Sequence, residues 1–295
     1  MARQDHQILD GSITGTLWLK AGLLYVVTSD VRVRKGATLV VEDGATILIQ
    51  NGIVPSSEIR HAALIFEQGA TLKAGRLFIR ACDDRFRPVK QADNGGVWFF
   101  GAYRSAEKDG LSVTAAPATS ASSFSAALIA AYYLGHRDPI TESADPVNDD
   151  RDGFSLMGVG PQEWDVAEVR SYHSGDDGID LTNSQIRLQR LRVVAPTEDG
   201  INLSSSTLQV ARSLHVDVTM TSVFDRDIFD FETDDGPSYV EIAQHCHVDI
   251  RGVFGDQLHL KSPDMPAPNA ADNESYRFKA FLRQSPALIY SLNED

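Results

Sequence analysis

One five-residue phrase returns five times between Asp152 and Leu260: Asp152-Gly-Phe-Ser-Leu156, Asp177-Gly-Ile-Asp-Leu181, Asp199-Gly-Ile-Asn-Leu203, Asp227-Ile-Phe-Asp-Phe231 and Asp256-Gln-Leu-His-Leu260. Each copy opens on Asp and carries large apolar residues at its third and fifth places. The openings lie 25, 22, 28 and 29 residues apart, inside the window of about 20 to 50 residues in which self-similarity marks stacked repeats. The uneven interval implies loops of unequal length between equivalent strands.

Side chains on a strand alternate between its two faces. The third and fifth places therefore point inward together, Phe154, Ile179, Ile201, Phe229 and Leu258 beside Leu156, Leu181, Leu203, Phe231 and Leu260. The fourth place then faces out, which stacks Ser155, Asp180, Asn202, Asp230 and His259 into one column. Two residues further on, Met157, Thr182, Ser204, Glu232 and Lys261 form a second. A companion strand repeats as Ser184-Gln-Ile-Arg-Leu188, Ser206-Thr-Leu-Gln-Val210 and Ser238-Tyr-Val-Glu-Ile242. Several short strands per repeat, punctuated by Gly, Asp and Ser turns, predict an all-β chain folded as a parallel β-helix solenoid.

The tripeptide Gly-Ala-Thr recurs at Gly36, Gly44 and Gly69, and the last two lie 25 residues apart. The repeat thus extends toward the N-terminus. Within a single domain of 1–295, the pattern predicts a cap and first coil over 1–35 and further coils over 36–115. A helix and loop insertion follows over 116–150, regular coils over 151–262 and a C-terminal cap over 263–295. The helix is read at Ala126–Leu134, whose Ala and Leu content favours it and which stops at Gly135. It packs on the flank of the stack or serves as a lid. Three prolines in Ser262–Pro268 end the ladder.

Composition narrows the function. A formal charge of −14 argues against sequence-independent nucleic-acid binding, which Lys and Arg carry. No run approaches the roughly 20 apolar residues of a membrane span, and no signal-like apolar stretch follows Met1. A cytoplasmic chain and an exported one whose leader has been removed both fit, and oligomeric state is open. Cys82 and Cys246 show no metal-ligand spacing and read as small core residues. His215, His245 and His247 form another polar group without a third ligand fixed by spacing.

The strings Lys35–Ile47 and Ala63–Leu72, followed by Gly95-Gly-Val-Trp98, and later Ser174-Gly-Asp-Asp-Gly-Ile-Asp-Leu181, resemble text of the bacterial right-handed parallel β-helix, pectate-lyase-like superfamily. That resemblance implies the fold, and a class that holds lyases, epimerases, glycosidases, phage spikes and adhesins; fold alone does not select among them. The expectation is a carbohydrate-active protein acting on a poly- or oligosaccharide. Asp180, Asp230, Glu232, His259 and Lys261 are its candidate catalytic groups, and Asn202, Ser204 and Thr182 its candidate substrate-binding groups. Asp180 and Asp230 fall roughly 9 to 10 Å apart across two strand spacings, close to the carboxyl separation of about 6.5 to 9.5 Å that admits a water in inverting hydrolysis. A lyase version places calcium on Asp177, Asp180 and Asp230, with His259 or Lys261 as base. No other cofactor is required. The alternatives are a non-catalytic surface, adhesion or glycan-binding protein, and a small-molecule enzyme with the 126–134 segment as lid. The opening Asp of each phrase also has a purely structural reading, accepting backbone N–H groups at a turn.

Overall fold

The computed structural model describes residues 6–50, 62–92, 95–108, 111–117, 121–136, 152–218, 227–252, 258–261, 276–284 and 287–291. Among these every regular element is a β-strand, and most strands pair in parallel. One sheet of eight strands runs in unbroken sequence order: Ser12–Ile13, Val31–Val33, Ala63–Phe66, Gly96–Phe100, Phe154–Met157, Ile179–Thr182, Ile201–Ser204 and Asp230–Glu232. Between successive members the chain crosses into a second sheet of 16 strands and returns. Parallel neighbours demand such a crossover because a hairpin reverses direction.

The first four repeated phrases lie on the smaller sheet in the expected register. Leu156 faces Leu181, Leu181 faces Leu203, and Leu203 faces Phe231. All four are buried, in one core with Phe154, Ile179, Ile201 and Phe229. The larger sheet supplies the opposing wall. Its strand Gln185–Val194 buries Ile186 and Leu188, then Leu191 and Val193. The apolar period slips by one at Gln189–Arg190, where the register with strand Thr207–Asp217 also shifts, so one strand supplies two inward-facing stretches. Aromatic rings fill the middle: Phe66 stacks on Phe99 at 5.0 Å, and Phe99 meets Phe154 at 5.6 Å and Trp164 at 5.3 Å.

Two small residues set the turns. The Gly of the phrase sits where a Cβ would come within 2.2 Å of Val193 Cγ1 at Gly178, and within 2.5 Å of Val216 Cγ1 at Gly200. The recurring Ser forms a buried ladder. The Val159 N–H donates to Ser184 Oγ, the Ser184 N–H to Ser206 Oγ, and the Ser206 N–H to Ser238 Oγ. Each hydroxyl in turn donates to a carbonyl, Leu156, Leu181 or Leu203. These three turns thereby pair the buried hydroxyls and the N–H groups that meet them.

The helix expected at Ala126–Leu134 is absent. Residues Ser123–Tyr132 are a strand, flanked in parallel by Thr71–Cys82 on one side and by Trp164–Val166 and Glu168–Tyr172 on the other. Propensity favours a helix by tenths of a kcal/mol per residue, and a slot with a hydrogen-bonding neighbour on each side outweighs it. The loop expected to follow, at 137–151, lies outside the described residues, as do 262–275. Toward the C-terminus direction reverses. Tyr276–Phe281 pairs antiparallel with His247–Gly252, and Ala287–Ser291 pairs antiparallel with Tyr239–Ile242 and with Leu258–Lys261. These strands cover edges that a parallel ladder leaves open. Cys82 and Cys246 are buried and unbonded to each other, and burial raises both thiols to about 12. No helix among the described residues is long and apolar enough to cross a membrane.

The glycine geometry is testable. Replacing Gly178 by Ala drives a methyl into Val193 and the Gly200 carbonyl, and should cost about 1–3 kcal/mol as overpacking does. The same change at Gly15, where a Cβ meets nothing within 4 Å, should be neutral or mildly stabilising. Urea midpoints of the two variants separate these outcomes.

Candidate functional site

The outer face of the smaller sheet carries the predicted columns. Trp98, Ser155, Asp180, Asn202 and Asp230 are successive register partners, as are Phe100, Met157, Thr182, Ser204 and Glu232. The face changes character along the ladder. At its apolar end Ile65, Trp98, Phe100 and Met157 pack beneath Ala106 and Val113, which belong to a hairpin of Ala106–Lys108 and Leu111–Val113. Polar side chains occupy the other end.

The columns are less open than their polarity implies. Ser155 and Thr182 are buried and Asp180 is fully so, at 0% exposure. Asn202, Ser204 and Asp230 are half-buried, and only Glu232 is exposed. The segment leading into the hairpin crosses the turns that follow these strands. Tyr103 Oη donates to Gln185 Oε1 at 2.9 Å, Arg104 donates to the Ser205 carbonyl at 3.4 Å, and Asn183 Nδ2 donates to the Ser105 carbonyl at 2.8 Å. Asn183 and Ser205 adopt φ of 48° and 50°, which tightens the turns this segment crosses. Alternation predicts which face a residue takes, but a distant loop decides whether that face meets water.

Ser155 Oγ donates to Asp180 Oδ2 at 2.9 Å, and Ser204 Oγ donates to Glu232 Oε2. Beside this column stands the column of opening aspartates. Asp177 Oδ1 accepts the Asp199 N–H at 3.0 Å and Asp199 Oδ1 accepts the Asp227 N–H, so the turn role read from the sequence holds for both. Stacking nevertheless crowds carboxylates. Asp152, Asp177 and Asp180 bring oxygens within 4.8 Å of one another, and so do Asp176, Asp177 and Glu198.

Protons answer part of this crowding. Burial, then the charges of Asp177 and Asp152, then Glu198, hold Asp176 well above the usual carboxyl range. Asp199 is pushed up to about 8, first by burial and next by the charge of Asp230. The bond from the Asp227 N–H pulls back, while the Asp227 and Glu198 charges add to the rise.

The register thus assembles Asp180, Asp230, Glu232, Asn202, Ser204 and Thr182 as expected, and separates His259 and Lys261 from them. Leu258–Lys261 pairs antiparallel with Ala287–Ser291 in the larger sheet, with His259 opposite Tyr290 and Lys261 opposite Leu288. The fifth phrase matches the other four in pattern, but its backbone has joined the reversed strands near the C-terminus. Of the expected cation ligands, Asp177 and Asp180 converge, and their third partner is Asp152 in place of Asp230. Asp230 lies two rungs from Asp180. Sequence reasoning also left Asp152, Asp176, Glu198 and Asp199 out of the candidate site. The signal was present: the turn column and the outward column are only three residues apart in each phrase.

The chain matches no family model, no curated protein and no solved structure.

Asp199 has a pH signature. Its folded value of about 8 exceeds the ordinary 3.8. The unfolded chain therefore ionises this group first as pH rises, and stability falls from about pH 4 to about pH 8, then levels. The loss should be of the order of a few kcal/mol. Asp199→Asn keeps an acceptor for the Asp227 N–H and should flatten the slope, and urea midpoints measured across that pH range compare the two proteins.

Proposed function

We propose that the protein is a right-handed parallel β-helix that hydrolyses a glycosidic bond of a poly- or oligosaccharide at the open end of the polar columns. The observation carrying this reading is the pairing of Asp199, which keeps its proton up to about pH 8, with the charge of Asp230. A carboxyl group that holds its proton close to a second carboxyl group is what acid–base hydrolysis of an acetal needs. Asp199 protonates the departing sugar oxygen. Asp230 or Glu232, roughly 6–7 Å apart on one strand, removes a proton from the attacking water. Asn202, Ser204 and Thr182 offer amide and hydroxyl groups at strand spacing for sugar hydroxyls.

Elimination is the weaker version, because His259 and Lys261, its candidate bases, pair in the other sheet. The superfamily resemblance nonetheless brings calcium into consideration. Asp152, Asp177 and Asp180 fit a hard divalent cation: an all-oxygen set, buried, with ligand atoms inside 4.8 Å. Such an ion, when bound, supplies positive charge that an anionic sugar needs beside a chain of formal charge −14.

Asp230→Asn and Asp199→Asn should each lower turnover about 10²–10⁴-fold, the usual scale of general acid–base assistance, with glycan binding retained. Reducing-sugar release across a panel of neutral and anionic oligosaccharides measures the first, and calorimetry the second. Unchanged turnover in both variants sinks the assignment. Binding by the unaltered chain without any bond cleavage makes it a non-catalytic glycan-binding protein.

A further inference from the structure

The opposite wall of the molecule carries the opposite charge. On the outer face of the larger sheet, Arg170, Arg192, His215, Asp249 and Lys279 are successive register partners across five strands. One step along, Glu168, Arg190, Ser213 and His247 are partners in the same way. These two rows line a cavity of about 520 Å³, a size typical of small-ligand sites. Four permanent cations (Arg170, Arg190, Arg192 and Lys279) meet two carboxylates, Glu168 and Asp249. The chain as a whole carries 41 acidic and 27 basic residues, so the sign of the charge is reversed at this cavity.

The excess is concentrated at one spot. Arg170 is closely bonded to Glu168, at 2.6 Å, and Asp249 is shared by Arg251 at 3.2 Å, Lys279 at 3.3 Å and His215 at 3.5 Å. Arg190 reaches Glu168 only at 3.9 Å. Arg192 lies over the Tyr172 ring at 5.8 Å and makes no ion pair among the described residues. Burial and the Arg192 charge depress His215, and the carboxylates of Asp249 and Asp217 oppose them only in part. The middle of the cavity therefore presents two guanidinium groups and two imidazoles, and the nearby carboxylates Glu168 and Asp249 are already shared with Arg170, Arg251 and Lys279.

We infer that this cavity binds the tetrahedral oxyanion of a phosphate or sulfate ester between Arg190 and Arg192 on one strand, His215 on the next and His247 on the one after. A guanidinium presents a planar fork of donors matched to paired oxygens. Arg190 and Arg192, two residues apart on the same face, stand roughly 6–7 Å from each other along the strand and can engage different oxygens of one dianion. A single carboxylate has too few oxygens for four such groups. Tyr172, held flat against Tyr132 at 5.0 Å, forms an aromatic wall beside Arg192 for whatever carries the ester. The site is independent of the glycan-processing reading.

Inorganic phosphate and, separately, inorganic sulfate are titrated into the full chain while the histidine side-chain NMR signals are followed. Saturable shifts at His215 and His247 are expected, with the His215 titration moving to higher pH in bound protein. The groups facing that imidazole are Arg192, Asp249, Arg251, Lys279 and Asp217, and a bound dianion offsets the cations among them. Arg192→Gln should weaken binding at least about tenfold, the loss of one charged hydrogen bond. Arg192→Lys should weaken it less, and Arg76→Gln, elsewhere on the same sheet, should leave it unchanged. Phosphate binding tighter than sulfate at pH 8, and weaker once inorganic phosphate takes up its second proton about one unit above the roughly pH 6 of a phosphate ester, identifies a phosphate ester; tighter, pH-insensitive sulfate binding identifies a sulfate ester. The proposal fails if neither anion gives saturable shifts, or if Arg76→Gln weakens binding as much as Arg192→Gln does. Thermal unfolding of each variant confirms that it is folded.

Discussion

Parallel pairing in register is the constraint from which the rest follows. Neighbouring strands lie about 4.8 Å apart, so whatever residue type a phrase places at one position is set against the same type on the next rung. For apolar residues the result is favourable at every step, and Leu156, Leu181, Leu203 and Phe231 become one continuous seam. Serine gains as well, since a hydroxyl accepts from the rung above and donates to a carbonyl, as Ser184, Ser206 and Ser238 show.

Carboxylates respond differently to the same geometry. Asp177 and Asp199 are useful singly, because each accepts a backbone N–H from the next turn. Stacked beside a second column that holds Asp180 and Asp230, they become a concentration of like charge that burial makes more costly. Burial and the neighbouring charges raise the proton affinity of Asp176 and Asp199, which eases part of it. On the other wall the ladder stacks Arg170, Arg192 and His215. A structural rule that is neutral about chemistry thus concentrates acid on one face and base on the other.

The repeat was legible in the sequence because it depends on local alternation. Period two along Ile179–Thr182 and Ile201–Ser204 states which side chains face the core, and the spacing of the phrases states which rungs are neighbours. What failed depended on partners remote in sequence. Ser123–Tyr132 has the composition of a helix and is a strand because Thr71–Cys82 and Glu168–Tyr172 pair with it on either side. His259 and Lys261 obey the phrase, yet their strand has turned to pair with Ala287–Ser291.

From its own order of residues, the chain determined an all-β architecture, the inward and outward faces of the repeated strands, and the vertical succession Ser155, Asp180, Asn202, Asp230. Only the tertiary structure decided that Asp180 is sealed while Glu232 stays open, and that the charge of Asp230 lies close enough to raise the proton affinity of Asp199. It also decided that Arg170, Arg190, Arg192 and Lys279, from three strands, share one cavity with the histidines of two others. The reason is physical: alternation is a property of one strand's own backbone, whereas solvent access and electrostatic environment are set by every segment that happens to lie nearby, however far away it is along the chain.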